Sequence, residues 1–210
     1  MKKIAVVAAN GRVAQKVIAE AVRRGFEVTG FGRSANKSEA QHYVQKDVFD
    51  LTQADLAGFD AVVDAVGAWT LDTLPVIPQA AAYLAKLLKG TETRLIVVGG
   101  AGSLYVNKEH TSTVELQPGF PDAFKGVSAA HGLALAILRA TEGVKWTYLS
   151  PAGDFQADGA RTGHYLLGGE ELTLSSKGES VISYADYAIA LVDEIEKGVH
   201  IGQRISVVQQ

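Results

Sequence analysis

The pattern of apolar and polar positions in the first 34 residues predicts a strand, a turn, a helix and a second strand. Residues 4–8 form an unbroken apolar run, which is typical of a buried strand. Residues 13–24 carry apolar side chains at the spacing of one helix face, and a second apolar run follows at residues 27–31. This order is that of the phosphate-binding half of a dinucleotide-binding fold.

Further strands and helices are predicted along the rest of the chain. They alternate, which favours an α/β fold of the Rossmann type, with a doubly wound and mainly parallel sheet. The predicted strands cover residues 41–46, 61–66, 94–98 and 146–149, and the predicted helices cover residues 78–89, 125–141 and 183–197.

In the last quarter of the chain, short apolar segments replace the regular alternation. Residues 165–169 and 172–174 have the pattern of a short hairpin, and residues 204–208 predict a closing strand. No linker, repeat or low-complexity stretch divides the chain. We therefore predict one NAD(P)-binding domain over residues 1–210, in which about 151–180 and the last strand form a small C-terminal lobe on the substrate side.

The turn after the first strand is the candidate pyrophosphate loop. A G-x-x-G-x-x-G pattern maps onto Ala8, Gly11 and Ala14, so only the middle glycine is present. Alanine at the third position still allows the helix to pack closely on the strand, but a positive φ at the first position would be unfavourable for alanine. The alternative is an ordinary strand–helix turn without a ligand. The predicted loop residues are Ala8, Asn10, Gly11, Arg12 and Val13.

The end of the second predicted strand suggests the type of dinucleotide. NAD-specific folds usually place Asp or Glu there, to bind the ribose 2′-hydroxyl. This chain has Arg33 and Ser34 instead. A guanidinium suits a 2′-phosphate, because it can donate two parallel hydrogen bonds. We therefore predict that NADPH is preferred over NADH; the alternative is that Arg33 is a solvated surface residue.

Two residues at the end of the third predicted strand are candidates for the adenine edge of the cofactor. Asp47 could border the adenine, and Val48 could pack on the ring. A lone aspartate in this position serves equally well as a helix cap.

Small residues at the end of the fourth predicted strand leave room for a ligand. Ala65, Val66 and Gly67 follow an apolar run, and ligands of open α/β sheets bind at the carboxyl ends of the strands. Trp69 comes directly afterwards and either lines the pocket or fills the core.

The fifth predicted strand runs into a glycine-rich segment. Gly99 and Gly100 indicate close approach of the backbone to another group, here predicted to be the nicotinamide side of the cofactor. Ser103 supplies the hydroxyl of this segment, and His131 lies beside the apolar face of the 125–141 helix. We take Ser103 and His131 as catalytic candidates. The alternative for His131 is an ordinary core or surface histidine.

Composition limits the classes of function. The formal net charge is −3, so nothing indicates a nucleic-acid or membrane partner. The chain has no cysteine, which excludes disulfides, thiolate metal ligands and a cysteine nucleophile. The N-terminal apolar run is too short for a signal peptide, and no segment reaches the ~20 apolar residues of a membrane span. We expect a cytoplasmic protein without a metal, with a homodimer as one option.

Several segments together resemble a known family. The chain is similar to atypical short-chain dehydrogenases that are grouped as NAD(P)H-binding or NADH-flavin reductase-like proteins. More distantly, it resembles biliverdin/flavin reductases and NmrA-like regulators. The resemblance covers nearly the whole chain, and its most specific segments are residues 94–104, 146–151, 161–165 and 182–188.

The resemblance implies a Rossmann core, a nicotinamide dinucleotide and a shallow substrate pocket. It places Pro151, Ala152 and Gly153 beside the nicotinamide, and it places His131 where related flavin reductases carry a pocket histidine. The chain departs from the family at its loop, where Ala-Ala-Asn-Gly replaces the usual Gly-Ala-Thr-Gly. The Tyr-x-x-x-Lys pair of typical short-chain dehydrogenases is also absent, which argues against alcohol oxidation.

These observations lead to two main hypotheses. The first is an NADPH-dependent reductase that passes hydride to a planar acceptor, with a flavin as substrate rather than as a bound prosthetic group. The second is a non-enzymatic NAD(P)-binding redox sensor of the NmrA-like type. A third hypothesis, a sugar-nucleotide epimerase, is weakened by the missing tyrosine–lysine pair and the small C-terminal lobe.

Overall fold

The computed structural model describes all 210 residues and contains ten strands and four α-helices. The strands are Lys3–Val7 (β1), Glu27–Gly32 (β2), His42–Gln45 (β3), Ala61–Asp64 (β4), Arg94–Val98 (β5), Lys145–Ser150 (β6), Asp154–Gln156 (β7), Tyr165–Gly168 (β8), Val181–Ser183 (β9) and Gln203–Gln209 (β10). The helices are Arg12–Arg23 (α1), Val76–Leu88 (α2), Asp122–Arg139 (α3) and Tyr184–Lys197 (α4).

Eight strands form one sheet, in the order β3-β2-β1-β4-β5-β6-β10-β8. All neighbouring strands are parallel except β10 and β8, which are antiparallel. The strands β7 and β9 form a separate two-stranded parallel sheet. The predicted doubly wound, mainly parallel fold is therefore confirmed. Because β10 and β8 extend the main sheet, the C-terminal part of the chain is continuous with it.

The two faces of the sheet are covered by different helix pairs. Apolar residues of α1 and α4 pack on one face, together with Ile4 and Val6 of β1. Apolar residues of α2 and α3 pack on the other face, together with Ala5 and Val7. Both sides of β1 are thus buried, which explains why its sequence is an unbroken apolar run.

None of the four α-helices has the length and apolar character needed to cross a membrane.

The predicted hairpin of residues 165–169 and 172–174 is wrong. The strand β8 pairs with β10 instead, with Leu167 opposite Val207. Residues 172–174 form no strand, because the chain after β8 makes backbone hydrogen bonds with the loop that follows β5. There the Tyr105 N–H donates to the Glu170 carbonyl at 3.0 Å, and the Leu172 N–H donates to the Tyr105 carbonyl at 2.8 Å.

Several predicted boundaries also shift. The strand β4 ends at Asp64, so Ala65 and Val66 lie just beyond it. Between β3 and β4, where no helix was predicted, the chain forms a 3₁₀ turn, Val48–Asp50. The helix α3 begins at Asp122, three residues before the predicted start.

Candidate functional site

The sheet order reverses at β1, which lies between β2 and β4. In open α/β sheets a crevice forms at such a point, beyond the carboxyl ends of the strands. The loops after β1, β4 and β5 all leave the sheet at this edge, since these strands are parallel. The structure therefore places the candidate segments 8–13, 65–67 and 99–103 at one edge of the sheet, as the predicted parallel sheet requires.

The loop after β1 forms a cradle in front of α1. Gly11 is the N-cap of the helix, and its N–H donates to the Ala8 carbonyl at 2.9 Å. A Cβ on Gly11 would lie 3.2 Å from that carbonyl oxygen and 3.9 Å from the carbonyl oxygen of Ala65. The first N–H groups of an α-helix have no partner within the helix, and the first turn of α1 has no acidic residue. This cradle fits an anion such as a pyrophosphate.

Ala8 has a left-handed backbone conformation, with φ of 59°. Such a conformation costs a non-glycine residue about 1–2 kcal/mol, which is why glycine is usual at the first position of this loop. The hydrogen bond from the Ala9 N–H to the Phe31 carbonyl, at 2.9 Å, holds the chain against β2 just after this residue. The loop therefore holds Ala8 in a conformation that glycine would adopt without this energetic cost.

The side chain of Asn10 turns away from the cradle and holds the loop after β2. Its amide nitrogen donates to the Ser34 hydroxyl at 3.0 Å and to the Ala35 carbonyl at 2.9 Å. Its amide oxygen accepts from the Lys37 N–H at 2.8 Å. The Tyr43 hydroxyl donates to the Ser34 carbonyl at 2.7 Å. Asn10 thus connects the phosphate cradle to the loop that carries Arg33, a role that sequence spacing did not reveal.

The other two cradle residues lie at the start of α1. Arg12 points outwards, and its guanidinium lies 3.2 Å from the exposed carboxylate of Asp158. Val13 is partly buried and packs against the core on the α1 side of the sheet. Among the cationic side chains, Arg12 is thus the one nearest in sequence to the first N–H groups of α1, which have no partner within the helix.

Arg33 extends into solvent, with 85% of its side chain exposed. Its Nε atom lies 3.9 Å from a carboxylate oxygen of Asp47, which is a loose contact. The side chain of Asp47 accepts from the Phe49 N–H at 3.0 Å, so Asp47 caps the 3₁₀ turn as the alternative interpretation proposed. Val48 is buried in the core and offers little surface to an adenine ring.

Asp64 is a buried carboxyl group at the end of β4, which the sequence reasoning passed over. It lies in register with Val7 of β1 and Val97 of β5, inside an apolar layer. Its oxygen accepts from the Val66 N–H at 3.1 Å, and thereby holds the start of the crevice segment. Burial raises the pKa of Asp64 to about 7. The sequence feature that could have identified Asp64 is an acidic residue in an otherwise apolar strand.

The glycines after β5 do approach other groups closely, but those groups belong to the protein itself. A Cβ on Gly99 would lie 2.3 Å from the Tyr148 ring, and a Cβ on Gly100 would lie 2.9 Å from the Cβ of His131. A Cβ on Gly102 would lie 1.7 Å from the Ser128 hydroxyl. The glycines are therefore required for packing on β6 and α3.

His131 is held beside this glycine segment. Its carbonyl accepts from the Tyr148 hydroxyl at 3.0 Å, and that hydroxyl accepts from the Gly100 N–H at 3.0 Å. The Nδ1 atom of His131 is buried and has no hydrogen-bond partner. Burial lowers the pKa of His131 to about 4, so its imidazole is neutral at pH 7.

Ser103 is fixed by an arginine that the sequence reasoning missed. The guanidinium of Arg204 donates to the Ser103 carbonyl at 2.9 Å and to its hydroxyl at 3.0 Å. Arg204 is buried and also pairs with Glu170, which Arg139 contacts from α3. No hydrogen bond joins Ser103 to His131, so these two catalytic candidates do not form a dyad. The sequence feature that could have identified Arg204 is a charged residue in the apolar last strand.

The segment after β6 reaches the same edge of the sheet. Pro151 and Ala152 are buried there, and the Gly153 N–H donates to the Ser180 hydroxyl at 3.0 Å. The hydroxyl of Ser150, the last residue of β6, is buried without a hydrogen-bond partner. The resemblance to flavin reductases had indicated this segment as one side of the nicotinamide site.

A serine–carboxylate pair borders the crevice on the α3 side. The buried Ser128 hydroxyl donates to the carboxylate of Glu115, and the Glu115 N–H donates to the Gly102 carbonyl at 2.9 Å. The sequence alone did not single out Ser128 or Glu115 as site residues. Trp69 is 71% exposed, so it does not fill the core.

Together, the strand order and the anion cradle at the reversal point define a Rossmann-type dinucleotide-binding protein. The chain belongs to the NAD(P)H-binding family, whose model matches residues 8–197.

Two solved structures and one further protein are similar to this chain over nearly its whole length. A Streptococcus pneumoniae protein described as a putative NADH-flavin reductase is 50% identical, with 100% of both chains covered and a TM-score of 0.98. A Burkholderia pseudomallei structure described as a putative exported protein is 36% identical, with 99% of this chain and 100% of that chain covered and a TM-score of 0.88. The uncharacterized Bacillus subtilis protein YwnB is 40% identical over 210 residues, which is 99% of each chain.

Proposed function

We propose that this protein is an NADPH-dependent reductase that transfers hydride to a planar acceptor such as a flavin. The observation that carries the proposal is an anion cradle that faces catalytic candidates with no hydrogen-bonded dyad between them. The one carboxylate that borders this side of the crevice, Glu115, accepts a hydrogen bond from the Ser128 hydroxyl. The cradle at Gly11 fits a pyrophosphate, and the histidine on the opposite side of the crevice is neutral at pH 7.

Hydride transfer between two stacked rings suits such a pocket. The reduced nicotinamide supplies the hydride when it is bound, and water can meet the proton demand of a reduced flavin. The protein then contributes mainly orientation and exclusion of water. Arg204 holds the Ser103 hydroxyl, and Tyr148 holds the backbone carbonyl of His131, so both residues can shape the pocket without moving a proton. The description of the 50%-identical S. pneumoniae protein supports the same reaction class.

Turnover of NADPH with free FMN, FAD or riboflavin tests the proposal directly. We expect the purified protein to oxidise NADPH only when a flavin is present, in a buffer that contains a metal chelator. A thermal-shift titration with NADPH should accompany the assay. If NADPH binds but no flavin is reduced, the redox-sensor hypothesis replaces the reductase.

Replacement of the two catalytic candidates should have moderate effects. His131→Ala and Ser103→Ala should each lower kcat/KM for flavin reduction by less than ~10²-fold, because neither group is a general acid or base in this proposal. The pH profile of His131→Ala should match that of the wild type between pH 6 and pH 8. A larger loss for His131→Ala, together with a changed profile, would identify the histidine as a proton donor.

Arg33 is the residue that we propose selects NADPH. A charge-assisted contact with the 2′-phosphate is worth about 1.5–3 kcal/mol, so Arg33→Ala should weaken NADPH binding about ten- to a hundredfold and leave NADH binding unchanged. Isothermal titration with both cofactors measures the effect. Lys16→Ala, which removes an exposed cation on α1, controls for the loss of one positive charge. Equal losses for both cofactors in Arg33→Ala contradict this assignment.

A further inference from the structure

Two aromatic side chains form an exposed pair at the carboxyl edge of the sheet. Trp69 is 71% exposed and Phe124 is 47% exposed. Their ring centroids lie 6.4 Å apart, with an interplanar angle of 63°. Leu71 adds a third exposed apolar side chain in the same loop as Trp69. Exposed apolar side chains that are grouped together mark ligand or protein contact sites more often than isolated ones do.

The pair continues the lining of the crevice. Phe124, Ser128 and His131 occupy positions i, i+4 and i+7 of α3, so they share one face of the helix. His131 contacts Gly100 and Ser128 contacts Gly102, which places this face along the glycine segment after β5. Phe124 lies one turn further out, about 6 Å along the helix axis from Ser128.

Trp69 reaches the same place from the other side of the crevice. It follows Gly67 by two residues, in the loop that leaves β4. Ala68, between them, is buried against Ala130 and Ala134 of α3. The loop after β4 therefore packs on α3, and the aromatic pair bridges the outer end of the crevice.

The loop that carries Trp69 is well anchored. A Cβ on Gly126 would lie 2.7 Å from the Cδ1 atom of Leu74, so the loop packs directly on the first turns of α3. Within the loop, the Leu74 N–H donates to the Thr70 carbonyl at 2.9 Å, and the hydroxyls of Thr70 and Thr73 lie 2.7 Å apart. Anchoring of this kind lowers the entropy cost of holding a ligand against the ring.

We propose that Trp69 and Phe124 form the binding platform for the ring of the acceptor. The occupant is a planar heteroaromatic ring, with the isoalloxazine ring of riboflavin as the probe. This inference rests on the proposed reductase function, because it assigns the second substrate of the same crevice. The aromatic pair is continuous with the α3 face that borders the glycine segment, which places the acceptor ring next to the crevice.

Riboflavin binding in the presence of NADP⁺ tests the platform without turnover. Equilibrium dialysis should give a Kd about tenfold higher for Trp69→Ala and for Phe124→Ala than for the wild type, since stacking of a base on an aromatic side chain is of this order. Leu133→Ala is the matched control. Leu133 is 54% exposed on α3, nine residues after Phe124 and thus on the opposite face of the helix, and its replacement should leave the Kd unchanged.

Tryptophan fluorescence provides a second measurement. The chain has two tryptophans, and Trp146 is buried in the core while Trp69 is exposed. Riboflavin should quench the emission of Trp69 in the wild type, and in Phe124→Ala, which keeps both tryptophans, the same quenching should need about tenfold more riboflavin.

The outcomes separate the inference from the proposed function. If NADP⁺ and NADPH do not shift the melting temperature of the wild type, the reductase function fails. If the cofactor binds and all variants take riboflavin with the wild-type Kd, the acceptor binds elsewhere and the platform is overturned. It is also overturned if Trp69→Ala converts a dimer to a monomer without changing the riboflavin Kd, because the surface then serves contact between two copies of the chain.

Discussion

The Gly11→Val variant is expected to lose NADPH binding by more than about a hundredfold while it keeps a cooperative melting transition. Gly11 has φ of −67° and ψ of 152°, an extended conformation that valine adopts readily. Its Cβ would meet the Ala8 carbonyl oxygen at 3.2 Å, which the loop can relieve by a small shift. The fold should therefore survive the substitution.

Cofactor binding should not survive it, because the valine methyl groups would occupy the space in front of the first N–H groups of α1. Loss of two charge-assisted hydrogen bonds to a pyrophosphate, at about 1.5–3 kcal/mol each, corresponds to more than ~10²-fold in Kd. Isothermal titration and a thermal-shift assay with NADPH measure the loss.

Gly169→Val is the matched control for the same change of side chain. A Cβ at Gly169 meets no atom within 4 Å, so this variant should bind NADPH as the wild type does. A normal NADPH-induced shift in Gly11→Val would mean that the pyrophosphate binds at another loop.

The Asp64→Asn variant is expected to change the pH dependence of stability. The folded protein holds the Asp64 proton up to about pH 7, whereas an aspartate of ordinary pKa 3.8 releases it near pH 4. Between these values the folded state binds more protons than the unfolded state, so the free energy of unfolding falls by about 1.4 kcal/mol per pH unit as pH rises. Above the folded pKa this loss is complete.

Asparagine keeps an oxygen that can accept from the Val66 N–H and has no proton to release. When the pH is raised from 5 to 8, the free energy of unfolding of Asp64→Asn should increase by about 3 kcal/mol relative to that of the wild type. Urea denaturation at both pH values measures it. Asp72→Asn, which removes an exposed carboxyl group, should follow the wild type at both. An unchanged difference for Asp64→Asn would show that Asp64 is ionised in the folded protein.

Glu20, another buried carboxyl group, changes the stability of the protein in a separate pH range. Burial alone would raise the pKa of Glu20, but hydrogen bonds from Arg23, Arg24 and Arg161 lower it from 4.5 to about 2. The stability that this group contributes is present above pH 4.5 and is lost as pH falls towards 2. It therefore does not interfere with a comparison between pH 5 and pH 8.

The amino-acid sequence by itself determined the elements that bury an apolar face. The runs at β1, β4 and β5 and the helical spacing in α1 predicted a doubly wound parallel sheet, and the structure confirms it. The loop of Gly11 and the small residues after β4 and β5 were also recognisable. These features are encoded locally, since burial on two faces requires continuous apolar runs and a ligand crevice requires small side chains at strand ends.

Partners that are distant in the chain were decided only by the tertiary structure. Ser103 is fixed by Arg204, 101 residues further along the chain, and β8 pairs with β10 rather than with its neighbouring segment. The glycines after β5 indicated a close approach, but not that Tyr148, Ser128 and His131 would fill the space. A local pattern specifies which face of an element is buried. It does not specify which groups meet there, because that depends on how strands and helices compete for the same neighbours as the chain packs.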